Sequence, residues 1–255
     1  MFIDTHVHLT DEVLFSRIDE IRANYLNAGV KKVITVGYNL ASSVKAKELS
    51  EKYNEIYFAV GVHPSDAVFY NDKTEKLLRS LCAHPKCLAV GEIGLDYHYE
   101  GYDKLTQINA FISQLKLANE VGLPVIIHSR DACKDTVDIL KENSNLLGNG
   151  FLMHCFSESK ETAMQLLPLG GYFAFGGAIT YKNAKKQEVI SAIPKNRLFA
   201  ETDCPYLTPV PKRGEKNQPA NVTYVYDFIA NTLGVSVDEI KTQFANNFNA
   251  LFKKA

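Results

Sequence analysis

The sequence predicts an α/β protein folded as a (β/α)8 TIM barrel, and three observations carry that expectation. Eight short apolar or β-rich runs recur along the chain with helical patterns between them, the arrangement of successive βαβ units around a parallel sheet. The 255 residues match such a barrel, which typically takes about 250. Residues able to bind a metal stand at the carboxyl end of run after run, where a barrel collects its functional groups. A doubly wound open sheet is the rival. It usually carries a glycine-rich phosphate loop after its first strand, whereas the first run here leads into THVHLT. No linker, repeat or low-complexity segment interrupts the pattern, so a single domain is expected over 1–255.

The runs, in order, are MFID (1–4), KKVITV (31–36), IYFAV (56–60), CLAVGE (87–92), PVIIHS (124–129), FLMHC (151–155), YFAFG (172–176) and LFAET (198–202). Helical spacing fills 16–29, 42–53, 104–122 and 131–143. The first and third of these segments end at Gly29 and Gly122, a common helix stop. In the third, Ile108, Phe111, Ile112, Leu115 and then Leu117 or Ala118 form an apolar stripe near the helical period.

The carboxyl ends of these runs carry the chemistry. His6 and His8 follow the first run, and residues i and i+2 of a strand face one side. Run three ends in GVHP, with His63. Run four leads into GEIGLDYH, with Glu92, Asp96 and His98. Run five ends at His128, run six at His154, and run eight in ETD, with Glu201 and Asp203. Neutral imidazoles and carboxylates are ligands for Zn²⁺, Mn²⁺ and related divalent ions. Six candidates (His6, His8, Glu92, His128, His154 and Asp203) are too many for one tetrahedral set. They suit two ions about 3.5–4 Å apart. Glu92 is the best bridge, because the fourth run lies between the two histidine groups. Two dications carry four positive charges, of which Glu92 and Asp203 offset two, so the centre would attract phosphate.

Each of these residues taken alone reads more simply as a hydrogen-bonded structural group. The coincidence of six at five strand ends is what points to a site. Cys155 and Cys204 are expected to point away from it, since strand neighbours face opposite sides. His84 is expected on a surface loop and His98 at the rim.

Composition narrows the setting. The chain is 46% hydrophobic and 22% charged, with a formal net charge of −1. A surface-wide basic footprint for nucleic acid is therefore absent, and a polyanion must be met by a local site. The five cysteines are odd in number and form no C-x-x-C pair, which suits a reducing, cytoplasmic setting. No signal peptide is expected. No apolar run approaches the roughly 20 residues of a membrane span, so no membrane partner is expected.

The segments FIDTHVHL, VGVHP, AVGEIGLDY, PVIIHSRDA, MHCFS, GGYFAFGG and LFAETDCPYLTP together resemble the TatD family of metal-dependent hydrolases, among the amidohydrolase-like barrels. The closing segment, from RGEKNQPANVTYVYDFIANTLG to FANNFNALF, resembles the family's C-terminal signature. The resemblance implies a (β/α)8 barrel with a binuclear or trinuclear metal centre and phosphodiester hydrolysis, commonly as a 3′→5′ exonuclease on DNA or RNA. It implies that His6, His8 and Asp203 hold one ion with Glu92, and that Glu92, His128 and His154 hold the second. Some TatD relatives have lost the first histidine pair, which this sequence keeps. The resemblance places His63 where it lines the site and meets substrate phosphate. Asp203 would accept a proton from the attacking water, and Arg130 would aid a phosphate contact or pack a helix start.

The expected enzyme is thus a deoxyribonuclease, a 3′→5′ exodeoxyribonuclease acting as a monomer on single-stranded DNA, with RNA as an alternative substrate. Its ions are Mg²⁺, Mn²⁺ or Zn²⁺. Lys182, Lys185, Lys186, Lys212, Arg213 and Lys216, with Tyr181 and Tyr206, fall near the expected mouth and suit a single strand, although KNAKKQE also reads as a solvated helix face. One rival is hydrolysis of a small phosphoester, amide or lactone on the same barrel. Another is a non-enzymatic barrel that keeps metal for stability.

Overall fold

The computed structural model describes residues 1–254. Eight parallel strands pair in chain order: β1 (Phe2–Val7), β2 (Val30–Val36), β3 (Ile56–Val60), β4 (Cys87–Asp96), β5 (Val125–Arg130), β6 (Phe151–Met153), β7 (Gly171–Phe175) and β8 (Leu198–Ala200). The helices are α1 (Glu12–Phe15), α2 (Ile18–Asn27), α3 (Leu40–Lys52), α4 (Asp72–Cys82), α5 (Lys104–Val121), α6 (Cys133–Glu142), α7 (Lys160–Leu166), α8 (Gln187–Ala192), α9 (Val222–Leu233) and α10 (Val237–Leu251). This is the expected (β/α)8 barrel. Among the described residues no helix is long and apolar enough to cross a membrane.

Strand limits differ from the sequence expectation in two directions. β1 continues to Val7 and β4 to Asp96, whereas β6 and β8 stop at Met153 and Ala200. The polar residues that look like loop starters in sequence are therefore partly inside strands. Between β8 and β1 there is no continuous ladder. The barrel closes at an isolated bridge from Val7 to Cys204, with the Asp203 N–H donating to the His6 carbonyl and the His8 N–H to the Cys204 carbonyl, both at 2.9 Å. Below these, the Asp4 carboxylate accepts from the Thr202 N–H at 2.9 Å and from its hydroxyl at 2.6 Å.

Helix ends follow local chemistry. Asn39 and Ser42 cap α3 reciprocally, each side chain accepting the other's backbone N–H at 3.0 Å, which satisfies two of the free donors of a first turn. α5 stops at Gly122, whose φ of 70° is the left-handed conformation that glycine adopts without a Cβ penalty. Of the expected α5 stripe, Phe111, Leu115, Leu117 and Ala118 are buried, while Ile108 and Ile112 are partly buried against the same core.

The apolar core has two layers. One lies between the strands and the surrounding helices. The other fills the lower barrel with Ile34, Leu88, Ile126 and Phe199, covered by Phe248 of α10 and by Phe252 just after it. The Phe199 ring sits 6.1 Å from that of Phe252. The floor is thus plugged by hydrocarbon, and polar groups gather at the other end.

Two buried glutamines of α5 fix the loops beside that end. The Gln114 side chain accepts the Val62 N–H at 2.8 Å and donates to the Val62 carbonyl at 3.0 Å. Gln107 clips Asp96 in the same way, at 2.9 and 2.8 Å. Their spacing of two helical turns puts them on one face of α5. Replacing Gln114 with Leu leaves a buried donor and acceptor unpaired, at about 1–3 kcal/mol for each group. Urea unfolding of Gln114→Leu is expected to show a loss of about 2–6 kcal/mol. A change below about 0.5 kcal/mol, the usual size at a neutral surface site, would contradict the role given to this clip.

Candidate metal centre

The strand ends bring His6, His8, His63, His128 and His154 together with Glu92 and Asp203 at one mouth of the barrel. The candidate donors fall into three overlapping groups: His6, His8 and Asp203; His6, Glu92 and His154; and His63, Glu92 and His128. Within each group the donor atoms lie within 4.8 Å of one another. Glu92 is common to two groups and its carboxylate spans the site. Oε2 lies 3.4 Å from His6 Nε2 and 3.7 Å from His8 Nε2. Oε1 lies 2.8 Å from His154 Nε2 and 2.9 Å from His128 Nδ1. Asp203 Oδ1 stands 3.3 Å from His8 Nε2 and 3.8 Å from His6 Nε2.

Close strand approach makes this convergence possible. At Gly94, on β4, a Cβ would stand 2.0 Å from the His128 carbonyl, and φ is 138°. At Gly91 a Cβ would stand 2.6 Å from the Ile126 Cβ. Neither position admits a side chain without parting β4 from β5, so Glu92 and His128 face one another because glycines flank Glu92.

At His8, His128, His154 and His63 the outer nitrogen decides what the inner one offers. His8 Nδ1–H donates to the Val36 carbonyl at 3.3 Å. His128 Nε2–H donates to Asp96 Oδ2 at 3.0 Å. His154 Nδ1 faces Glu201 Oε1 at 3.5 Å, and that carboxylate is held by the Cys155 N–H at 2.6 Å. Each of these arrangements turns a lone pair toward Glu92, the usual way in which an outer partner orients a metal-binding histidine. His63 is reversed: its Nδ1 accepts the Ser65 N–H at 3.1 Å, so in the neutral ring Nε2 carries the proton and points a donor into the cavity. Borderline nitrogen and hard oxygen donors, lone pairs inward and one carboxylate between two groups, fit divalent ions.

Electrostatics agree with that fit. Burial is the largest influence on Glu92 and opposes its charge. The surrounding His154, His6 and His63, with a hydrogen bond from His128, outweigh burial and hold the carboxyl well below its usual range. Burial likewise opposes the charge of Asp203, and His8, His154 and His6 keep it lowered. Burial, with His154 beside it, lowers His6. Burial lowers His63 to about 4, so it is neutral near pH 7.

A cavity of about 620 Å³ opens above these groups. Arg130, at the end of β5, lines it, as do Tyr38, Tyr99 and Tyr206. Among the described residues Arg130 is its one lining arginine or lysine, so the lysine-rich segment around 182–186 and the 212–216 segment do not form its wall. Cys204 is buried as expected, but Cys155 lines the cavity. Strand alternation does not apply to Cys155, because β6 has already ended and its φ is 44°. His98 lies at the rim, paired with Asp131 at 2.8 Å. His84 is partly buried: its Nδ1 accepts the Lys86 N–H at 3.1 Å and its ring packs 5.4 Å from that of Phe58. The sequence singled out Asp96 and Glu201 without a role, and Tyr38 and Tyr99 carried no signal, since a lone tyrosine in a loop has no distinguishing spacing.

Residues 3–253 match the family model described as TatD related DNase. The chain belongs to the TatD family. It is 41% identical, over 99% of each chain, to the uncharacterized metal-dependent hydrolase YabD of Bacillus subtilis. It is 30% identical, over 98% of each, to a protein of Shigella flexneri named 3'-5' ssDNA/RNA exonuclease TatD. The crystal structure of YJJV, a TatD homologue from Escherichia coli K12, superposes with a TM-score of 0.93 at 31% identity, covering 99% of this chain and 98% of that one. This TatD chain is a metal-dependent hydrolase, and the donor groups above are its candidate metal-binding groups.

Metal removal should be visible in stability. A ligand present at 100 times its dissociation constant adds about 2.7 kcal/mol, so EDTA is expected to lower Tm and Mn²⁺ or Zn²⁺ to restore it. Because Glu92 faces both histidine groups, Glu92→Gln is expected to lose bound metal, measured by elemental analysis, and most of that Tm shift. Unchanged metal content in Glu92→Gln would show that the carboxylate does not bridge.

Proposed function

We propose that this protein hydrolyses phosphodiester bonds of single-stranded DNA, with RNA as an alternative, releasing nucleotides from the 3′ end. The observation that carries the reading is the Glu92 carboxylate. Each of its oxygens faces a different histidine group, beneath a cavity that holds Arg130. The Shigella flexneri relative named as a 3'-5' ssDNA/RNA exonuclease supports the choice of nucleic acid and of polarity.

Glu92 would be shared by two divalent ions, one held with His6, His8 and Asp203 and the other with His128 and His154. When bound, such a pair acidifies water and stabilises charge on the phosphoryl oxygens. The protein's own groups do the rest. Asp203 Oδ1 is turned to His8 and His6, which leaves Oδ2 to take a proton from the attacking water as a positioned base. The water oxygen forms the new bond to phosphorus, the bond from phosphorus to the 3′ oxygen breaks, and that oxygen takes up a proton. His63 Nε2–H donates to a phosphate oxygen, and Arg130 meets phosphate with a charge-assisted bond.

Incubation of metal-stripped protein with 3′-labelled and 5′-labelled single-stranded oligonucleotides, followed by Mg²⁺, Mn²⁺ or Zn²⁺, tests the reading. A ladder that shortens from the 3′ end, requires metal and is absent with Glu92→Gln is expected. Protein that binds two ions yet cleaves no oligonucleotide would turn the assignment to a small phosphoester, amide or lactone.

A further inference from the structure

The cavity has two unlike walls. The wall built beside the ends of β1, β2 and β8 carries Tyr38, Tyr206 and Leu207. The Tyr38 and Tyr206 rings stand edge-on to His8, with centroids 5.7 and 6.1 Å from it. Carboxylates back this wall. Asp11 Oδ2 accepts the Tyr206 hydroxyl at 3.2 Å, and Asp66 Oδ2 accepts the Asn39 amide at 3.0 Å. Among the described residues no lysine or arginine lines it. Lys45 is engaged by the Thr10 carbonyl at 3.2 Å and the Phe15 ring.

The opposite wall, from β4, β5 and β6, carries the cavity's lining arginine. The Arg130 guanidinium lies over the Tyr99 ring, 5.3 Å from its centroid, with Ser129 and Ser157 beside it. Lys186 Nζ donates to the Ser157 and Glu158 carbonyls, which brings a second positive charge near this rim. The acids here are engaged: Asp96 accepts from His128 Nε2 and the His98 N–H, and Asp131 pairs with His98 Nδ1.

We propose that the cavity binds a single strand in one direction only, with the 3′-terminal base in the cleft between Tyr38 and Tyr206 and the phosphate preceding the scissile one on Arg130. This rests on the phosphodiesterase reading above and adds the strand's direction and its two flanking subsites. A strand has phosphates on both sides of an internal linkage but on one side only of its terminal linkage. Past the metal centre on the tyrosine side, a further phosphate would face Asp11 and Asp66 with no cation to meet it. The terminal nucleoside has no such charge, and its base gains a stacking surface that accepts any base. On the other side the phosphate preceding the scissile one finds Arg130. The wall chemistry therefore selects ends over internal linkages.

The test compares kcat/KM for single-stranded oligonucleotides that are unmodified, that lack the 3′-terminal base, or that carry an uncharged methylphosphonate at the linkage preceding the scissile one. Stacking is worth roughly 5- to 150-fold per base. Loss of the 3′-terminal base is expected to cost the wild-type enzyme at least about fivefold by that measure, to cost Tyr38→Ala/Tyr206→Ala little further, and to recover its full penalty in Tyr38→Phe/Tyr206→Phe. The methylphosphonate should cost the wild type about tenfold, as one charge-assisted bond does, and Arg130→Gln little further. Arg130→Gln should also flatten the dependence of log kcat/KM on log salt by about 0.7, one phosphate on a single strand. Equal penalties in the wild type and its variants, with ladders still formed, would overturn the direction and subsites while leaving the phosphodiesterase reading intact. No cleavage of any oligonucleotide by the metal-loaded wild type would overturn both.

Discussion

The barrel depends on a seam of few bonds between its first and last strands, and that seam also carries one of the candidate metal-binding groups. The sheet runs from β1 to β8 in chain order, and its closure rests on the His6 to Asp203 and His8 to Cys204 backbone bonds with the Asp4 carboxylate on Thr202. The residues making those backbone bonds carry the His6, His8 and Asp203 side chains. Closing the barrel and bringing these donors within reach of one another are therefore the same event. A backbone shift that opened the seam would leave buried amides unpaired, each at about 1–3 kcal/mol, and would part the donors. Rigidity at this site follows from the cost of leaving the barrel open.

Across the seam, Glu92 supplies the other half through charge. A buried carboxylate is tolerated only when paired and hydrogen-bonded, and five imidazoles surround this one and Asp203. Without ions, the burden falls on histidine protonation. Burial disfavours the charge on His154, yet Glu92 and Glu201 push its pKa well up, while His6 and His63 are driven down. One site thus holds histidines displaced in opposite directions, as expected where too few positive charges must be shared among too many ligands. Bound divalent metal would resolve this by supplying positive charge directly and letting the candidate ligand imidazoles be neutral.

Most of the architecture was legible in the sequence. Alternating apolar runs and helical stripes gave all eight strands, because burial on both faces leaves parallel strands continuously apolar. The site was legible because ligand chemistry restricts residue type: few residues other than histidine and carboxylates serve, and strand-end position filtered them. Strand limits were less legible. His6 and Asp96 are polar and lie beyond the apolar runs, but tertiary bonds from the Asp203 N–H to the His6 carbonyl and between Asp96 and Gln107 hold them within strands. Cys155 defeated the alternation rule because it lies beyond the strand in a positive-φ conformation. Gln107 and Gln114 could not be found from an apolar stripe at all. They sit on its buried face, made acceptable there only by backbone partners far along the chain.

The sequence set His63 apart from the candidate ligand histidines through the family resemblance, but residue type and position alone give no reason for it, since all five share both. The difference lies in the partner of the outer nitrogen. A carbonyl or carboxylate there takes the ring proton, as at His8 and His128, and frees a lone pair inside. A backbone N–H there, as from Ser65 to His63, consumes the lone pair and leaves a proton inside. Ser65 lies at the start of a short 3-10 helix that His63 caps, so a helix-capping choice in the loop after β3 sets the chemistry of the ring. The same reasoning gives Asp96 and Glu201 their place. Each sits behind a histidine and offers an oxygen to the nitrogen that does not face Glu92. At His8, His128 and His63, whether the inner nitrogen offers a lone pair or a proton is thus decided one bond outside the candidate site.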